Sequence, residues 1–339
     1  MWVIARYYGA KNKDYLQRAI HTTTAFGLVA GITLTAAGMY LAPKVLVLMG
    51  TPADVLPESI VYFQTYFAGS LGVVMYNIFV GILQSVGDGR HPLIYLIISS
   101  CVNVVLDIFF ITGLGMGVGS AALATAISQF VSAILCMVHL MRVKEDYRLE
   151  LRRIRFDRHM LRQIIQNGVP SGFQNSVIAI ANVFVQSNIN AFGKMAMAGC
   201  GAYSKVEGFA FLPVTCFTMA ITTFVGQNFG AGKYHRMRKS VSVCMVMSMV
   251  SSAVMIILMY AFAPWIYRLF TTDSAVIVHG VHMSRFLLPS YFIYVIIGIL
   301  SGALRGTGKV LVPMLLTCGG VCSLRILWLF YSRTDVSRN

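Results

Sequence analysis

The sequence predicts an all-α polytopic membrane protein built from two parallel helical repeats, and three observations carry that prediction. Apolar residues fill 57% of its 339 positions and charged residues only 12%, about half the roughly 25% usual in soluble domains. The apolar positions gather into runs along the whole chain, each near the ~20 residues that cross a bilayer as a helix. The chain also repeats itself in one register: GILQSVGDGRHP at 81–92 and GALRGTGKVLVP at 302–313 align with Gly81 on Gly302, Gly87 on Gly308 and Pro92 on Pro313, 221 positions apart. The same offset pairs Gly9-Ala10 with Gly230-Ala231, Ala42-Pro43 with Ala263-Pro264 and Cys101 with Cys322. A register kept through that many segments marks an internal duplication.

Taken in order, the apolar runs give nine spans, near 19–39, 58–83, 92–113, 118–141, 167–191, 198–226, 240–262, 279–303 and 310–331. Lysine and arginine fall in alternate loops. Nineteen lie on one side, eight of them between Arg142 and Arg162, against Lys44, Lys194 and Arg268 on the other. The basic loops are therefore expected in the cytoplasm. The net charge of +15 follows from this topology and is not a nucleic-acid footprint. Both members of Gly9-Ala10 and Gly230-Ala231 fall in basic loops, so each repeat holds an even number of spans and the copies share one orientation, related by an axis along the membrane normal.

The predicted organisation is an N-terminal lobe at 1–141, a basic linker at 142–166 and a C-terminal lobe at 167–339. Leu149, Leu151, Ile154, Phe156, Leu161 and Ile164 alternate with arginines in the linker, which reads equally as an amphipathic surface helix or as a solvated connection. Asp157 suits the N-cap of the span that follows. Extending the 221-residue register predicts a twelve-helix plan, with two helices before Met1 and one after the last span. The seven cysteines all lie in apolar segments and read as buried free thiols; no metal set is legible around them. Met1–Ala10 does not resemble a cleavable signal peptide.

LQSVGDGRHPL at 83–93, SSCVNVVLDIFFI at 99–111 and GMGVGSAALATAISQ at 115–129 resemble the first lobe of the multidrug and toxic compound extrusion (MATE) transporters. GVPSGFQN at 168–175, YSKVEGFAFLP at 203–213, VGQNFGAG at 225–232 and ALRGTGK at 303–309 are similar to the second lobe. The resemblance runs in order through nearly the whole chain. It implies two six-helix lobes around a central cleft, and export of organic cations or amphipathic drugs in exchange for Na+ or H+ by alternating access. It also implies a bacterial-type cytoplasmic membrane, drug-like molecules and lipid as partners, no nucleic acid, and no cofactor beyond the coupling ion; a monomer is the expected form, with the oligomeric state left open by the sequence. One branch of that family places a glutamate in its seventh helix and an aspartate in its tenth. The matching spans here, 167–191 and 279–303, hold no carboxylate. Another branch uses an aspartate in its first helix, which this chain does not contain. The resemblance thus leaves the coupling ion open.

Ionisable groups within spans are costly and point to function. Asp107 lies mid-span, four residues after Asn103, so both share a helical face; the pair suits a proton, a sodium ion or a cationic substrate, or else an interhelical hydrogen bond. Glu207 is the foremost candidate for a coupling carboxylate, the alternative being an ion pair with a neighbouring helix. Lys205, two residues earlier, points to the other side of the helix and either neutralises another acid or snorkels. Ser171, Asn175, Asn182, Gln186 and Asn190 make one uncharged polar stripe, flanked by Gln174 and Asn188, suited to a wet cavity wall or to interhelical contact. Arg285 is near enough to a span end to snorkel, while Arg325 lies deeper. Glycines at 86–89 and 305–308 read as tight turns rather than phosphate loops, since no strand precedes them. No nucleophile–base pair or metal cluster is legible within the spans, which argues against a membrane enzyme. Two further readings stand beside the exporter. A lipid-linked oligosaccharide flippase would require a more cationic cleft, and an inactive fragment would follow from the helices the repeat lacks.

Overall fold

A computed structural model of the chain describes residues 1–117, 119–191, 194–271 and 273–323, excepting the side chains at 190, 191, 194–196, 321 and 322. The described residues form twelve α-helices and no strand: α1 Trp2–Gly9, α2 Lys13–Leu48, α3 Leu56–Ala68, α4 Ser70–Val86, α5 Arg90–Ile108, α6 Gly119–Arg142, α7 Arg158–Ala191, α8 Lys194–Gly230, α9 Tyr234–Arg268, α10 Ser274–Leu287, α11 Tyr291–Gly306 and α12 Leu311–Leu316. The chain divides into two units, with the boundary between Ile164 and Ile165, inside α7. The fold is the all-helical membrane architecture that the apolar runs and the repeat predict.

Among the described residues, seven segments are long and apolar enough to cross a membrane: Lys13–Leu48, Leu56–Val86, Arg90–Gly113, Gly119–Arg142, Met197–Gly230, Tyr234–Arg268 and Ser274–Gly306. Two of the nine expected spans are not among them. The one at 167–191 is fully helical within α7, but its amide stripe dilutes its apolar content. The one at 310–331 is described only to Ser323, as α12 and a π-helical turn at Thr317–Ser323; Arg325 lies outside the described residues.

In lobe 1, α4 packs between α2 and α6, and α5 lies on α6. Its fully buried side chains include Ile20, Phe79, Ile82, Leu83 and Leu140. A turn closes α4 through Gly87, whose φ of 97° is left-handed, a conformation that glycine adopts without steric cost. Beyond Asp107, α5 widens into a π-helical turn over Phe109–Gly113, a distortion common at functional sites.

The linker is neither a free connection nor an amphipathic helix along its length. From Val143 to Asp157 it is irregular, with a turn at 145–147 and a short 3-10 turn at Leu151–Arg153 flanked by extended Glu150 and Ile154, and it is bound along the start of α2. Leu149 is 1% exposed and its N–H donates to the Leu140 carbonyl at 2.9 Å. Buried His21 meets the Gln17 carbonyl through Nδ1 at 2.7 Å, while its Nε2 accepts the Glu150 N–H at 3.2 Å. Lys13 pairs with Asp146 at 2.9 Å, and Thr22 Oγ1 accepts the Asp157 N–H at 3.1 Å. These partners satisfy backbone polar groups that, outside a helix, have no i→i−4 bonds of their own. Asp157 caps α7 as its position predicts, with Oδ1 accepting from the N–H groups of His159 and Met160 at 3.0 Å each.

Lobe 2 repeats the plan. Here α11 lies on α8, with α9 and α10 completing the bundle around Val206, Ala210, Ile256, Met259, Ala263, Tyr267 and Leu288. Gly302 lets α11 reach the backbone of α8: a Cβ at that position would stand 2.9 Å from the Thr218 carbonyl oxygen. Thr222 Oγ1 uses the same close approach to donate to the Gly302 carbonyl at 3.0 Å. Small residues at such crossings give membrane helices the backbone contact that lipid cannot supply.

Candidate functional site

Glu207 sits on α8 one turn after Tyr203, so the two side chains project to one face. Tyr291, the first residue of α11, approaches from the other side. Its hydroxyl donates to Glu207 Oε1 at 2.7 Å, and the Tyr203 hydroxyl lies 3.4 Å from the same oxygen and 3.1 Å from the Tyr291 hydroxyl. Both tyrosines are buried, at 4% and 6% exposure, while Glu207 is half-buried. Phe211, one turn after Glu207, packs its ring 4.8 Å from that of Tyr291 and 4.7 Å from that of Tyr294. Below them Tyr267, fully buried, shares a 2.6 Å hydrogen bond with Ser284.

The partners of Glu207 are thus two phenol hydroxyls and not the cation on a neighbouring helix that its sequence position suggested as the alternative. These hydroxyls give the carboxylate polar partners inside a span, where an unpartnered one carries a heavy desolvation cost. Only Oε1 is engaged by the described contacts. The cluster therefore offers one anionic and two phenolic oxygens around a half-open carboxylate, a hard donor set for a small cation and a single negative charge for an organic one.

Lys205 faces away, as the two-residue spacing predicts; it is exposed, with Nζ 5.5 Å from the centre of the Phe270 ring. On α7, Gln174 is buried, at 3% exposure, and its Oε1 accepts from Arg305 Nη2 at 2.9 Å. Arg305, expected among the loop cations, is a half-buried group at the end of α11. Asn175, Asn182 and Gln186 are exposed on α7, and Asn188 donates to the Phe184 carbonyl at 2.9 Å. The side chain of Asn190 lies outside the described residues. Arg285 has Cζ 5.3 Å from the Tyr260 ring centre and lines, with Arg268 and His282, a cavity of 710 Å³.

In lobe 1, Asn103 and Asp107 share a face of α5. Asn103 Nδ2 and Asp107 Oδ1 are buried atoms with no hydrogen-bond partner. Polar atoms left so inside an apolar helix are costly, and this pair lies just before the π-helical turn. The sequence reading missed Tyr203 and Tyr291. Tyr203 was legible as the residue one turn before Glu207. Tyr291 comes from a helix 84 positions away in the chain, and no spacing announces it.

A sequence model of the MatE family matches residues 1–109 and 170–330. The chain is 26% identical over 331 residues to the probable multidrug resistance protein YoeA of Bacillus subtilis (strain 168), covering 96% of this chain and 72% of that protein. It is 25% identical over 327 residues to the probable multidrug resistance protein NorM of Thermotoga maritima, covering 95% and 70%. Among solved structures, the outward-facing conformation of a multidrug resistance MATE family transporter of the MOP superfamily matches with a TM-score of 0.87 at 23% identity, over 93% of this chain and 71% of that one. That structural likeness bears on the fold.

Proposed function

The chain belongs to the MatE family, an integral membrane protein, and from that premise we propose that it is a secondary active exporter of organic cations or amphipathic drugs, exchanging them for Na+ or H+ by alternating access. The names of its relatives as multidrug resistance proteins support the substrate class. The observation that carries the reading is the Glu207–Tyr291–Tyr203 cluster. One carboxylate held by two hydroxyls can neutralise one positive charge at a time. An arriving proton or sodium ion and a departing organic cation then compete for the same oxygen atoms, and that competition is the exchange. Asp107, with Asn103, supplies a second intramembrane carboxylate for the same work in lobe 1. The exposed amides Asn175, Asn182 and Gln186 give α7 a wettable face for the substrate's path. The alternation of basic loops supports a cytoplasmic membrane location with those loops inside.

The test is export of a fluorescent organic cation from proteoliposomes carrying the chain, driven in turn by a proton gradient and a sodium gradient. Glu207→Gln is expected to cut export at least about thirtyfold, as removing one member of a desolvated charged pair costs roughly 2 kcal/mol or more. Tyr291→Phe should weaken cation binding severalfold and leave the fold intact. Unchanged export by Glu207→Gln under both gradients would sink the proposal.

A further inference from the structure

Lobe 1 holds a second constellation, at the end bearing the basic linker. Asp88 lies in the turn after α4, His91 in the first turn of α5 and His139 in the last turn of α6. We propose that these three side chains form a binding site for a divalent late first-row transition-metal ion, Zn2+ by its chemistry, with a fourth position open to water.

The ligand atoms of the three residues all lie within 4.8 Å of one another. Asp88 Oδ2 is 2.6 Å from His91 Nδ1 and 3.6 Å from His139 Nε2. The two imidazole rings face each other with centroids 4.1 Å apart and planes 32° from parallel. Tetrahedral bonds of ~2.0–2.1 Å set neighbouring ligand atoms about 3.3 Å apart. The Asp88–His139 edge already stands close to that. The Asp88–His91 hydrogen bond would open by about 0.7 Å, with the His91 proton moving to Nε2. Asp88 is also held in place from behind, its Oδ1 accepting the His91 N–H at 3.2 Å, the kind of outer contact that fixes a metal-binding carboxylate.

Two imidazole nitrogens and one carboxylate oxygen are a borderline donor set. They suit zinc and its neighbours and are ill matched to Ca2+ or Mg2+, which take oxygen ligands. The surroundings sharpen the argument. This end of the chain is rich in lysine and arginine, yet among the described residues the ion-pair partners of Asp88 are the two histidines. Asp88 and His139 are mostly enclosed, with side chains 17% and 18% exposed, and His91 gives the approach at 44%. In the second copy of the repeat, Lys309 and Val312 stand where Asp88 and His91 stand in the first. The site therefore belongs to lobe 1 and not to the duplicated plan. A bound ion would tie the start of α5 to the end of α6. The inference rests on lobe 1 alone and is independent of the export reading.

The experiment uses the full chain in detergent, purified without a histidine tag, stripped with a chelator and titrated with Co2+, whose visible absorption reports tetrahedral coordination. One equivalent per chain with intense visible bands, displaced by Zn2+, is expected. Asp88→Asn and His139→Gln should each weaken Co2+ binding at least about tenfold, with thermal unfolding of the metal-free protein unchanged. If either variant fails to fold, His91→Gln, at the most exposed of the three positions, carries the same expectation. Absence of uptake, or uptake that all three substitutions leave unaltered, overturns the proposal.

Discussion

In lobe 1, α2 begins at Lys13, carries Pro43 inside it and is followed by a span broken at Gly69 and closed by the left-handed Gly87. In lobe 2, α9 begins at Tyr234, carries Pro264 and is followed by a span broken at Leu288–Ser290 and closed by the left-handed Gly308. These features recur at the 221-residue offset or within two residues of it. The polar groups do not follow. Tyr291, which binds Glu207, stands where lobe 1 has Ser70; Leu324 and Trp328 stand where it has Asn103 and Asp107; Lys309 and Val312 replace Asp88 and His91. Duplication preserved what sterics and backbone hydrogen bonding demand of a membrane helix, and chemistry was written onto each copy separately.

The largest expected effect asks which lobe carries the charge exchange. Glu207→Gln should abolish nearly all gradient-driven export, at least about thirtyfold, whereas Asp107→Asn should reduce it only severalfold, since Asp107 Oδ1 lacks the hydroxyl partners that hold Glu207. Equal losses in paired proteoliposome assays would make the two lobes partners of one rank. Next in size is a packing contrast. Gly302→Val drives a side chain into the α8 backbone and should cost about 2 kcal/mol, seen as a lower midpoint of thermal unfolding. Its repeat mate Gly81 faces only the flexible end of Met1, with Met1 Cε 3.1 Å from a built Cβ, so Gly81→Val should cost clearly less.

A third contrast concerns the linker bound to lobe 1. His21 has Ser242 as its counterpart, and His21→Ser would leave the Glu150 N–H without its acceptor. A loss of about 1 kcal/mol is expected, read as faster amide exchange or proteolysis across 143–157. The smallest effect is at a turn. Lys11 has a left-handed φ of 53°, and its repeat mate Gly232 has 70°. Lys11→Gly should stabilise lobe 1 by a few tenths of a kcal/mol, the relief of backbone strain being partly offset by the greater freedom of glycine when unfolded. Gly232→Lys should destabilise lobe 2 by about 1 kcal/mol. Both are readable by denaturant or thermal melts.

Much of the fold was legible because its signals are local or periodic. Apolar runs, prolines and glycines at a constant offset, and the aspartate that caps α7 all act within a turn or two of themselves. The amide stripe on α7 was legible for the same reason, but its interpretation was not: Gln174 turned inward to Arg305 while Asn175 beside it stayed exposed. The linker's leucines and arginines suit a surface helix as well as a solvated connection, and nothing local chose between them. On α2, Gln17 Nε2 donates to the Asp146 and Arg148 carbonyls, and His21 and Thr22 accept the Glu150 and Asp157 N–H groups, so the linker is held as a bound chain.

By itself, the sequence determined that this chain spans a membrane, that it is a duplicated bundle, which face of α8 presents Glu207, and which family it joins. The span, the repeat and the face of α8 follow from transfer energies, a constant register and helical periodicity, all read along the chain, and the family follows from motifs that occur in order. Only the tertiary structure decided that Glu207 is held by Tyr291, that Arg305 is held by Gln174, and that His139 closes on Asp88 and His91. Each of those contacts joins residues at least 48 positions apart, on different helices or the turn between two of them, and helix packing, which no single segment encodes, brings them together.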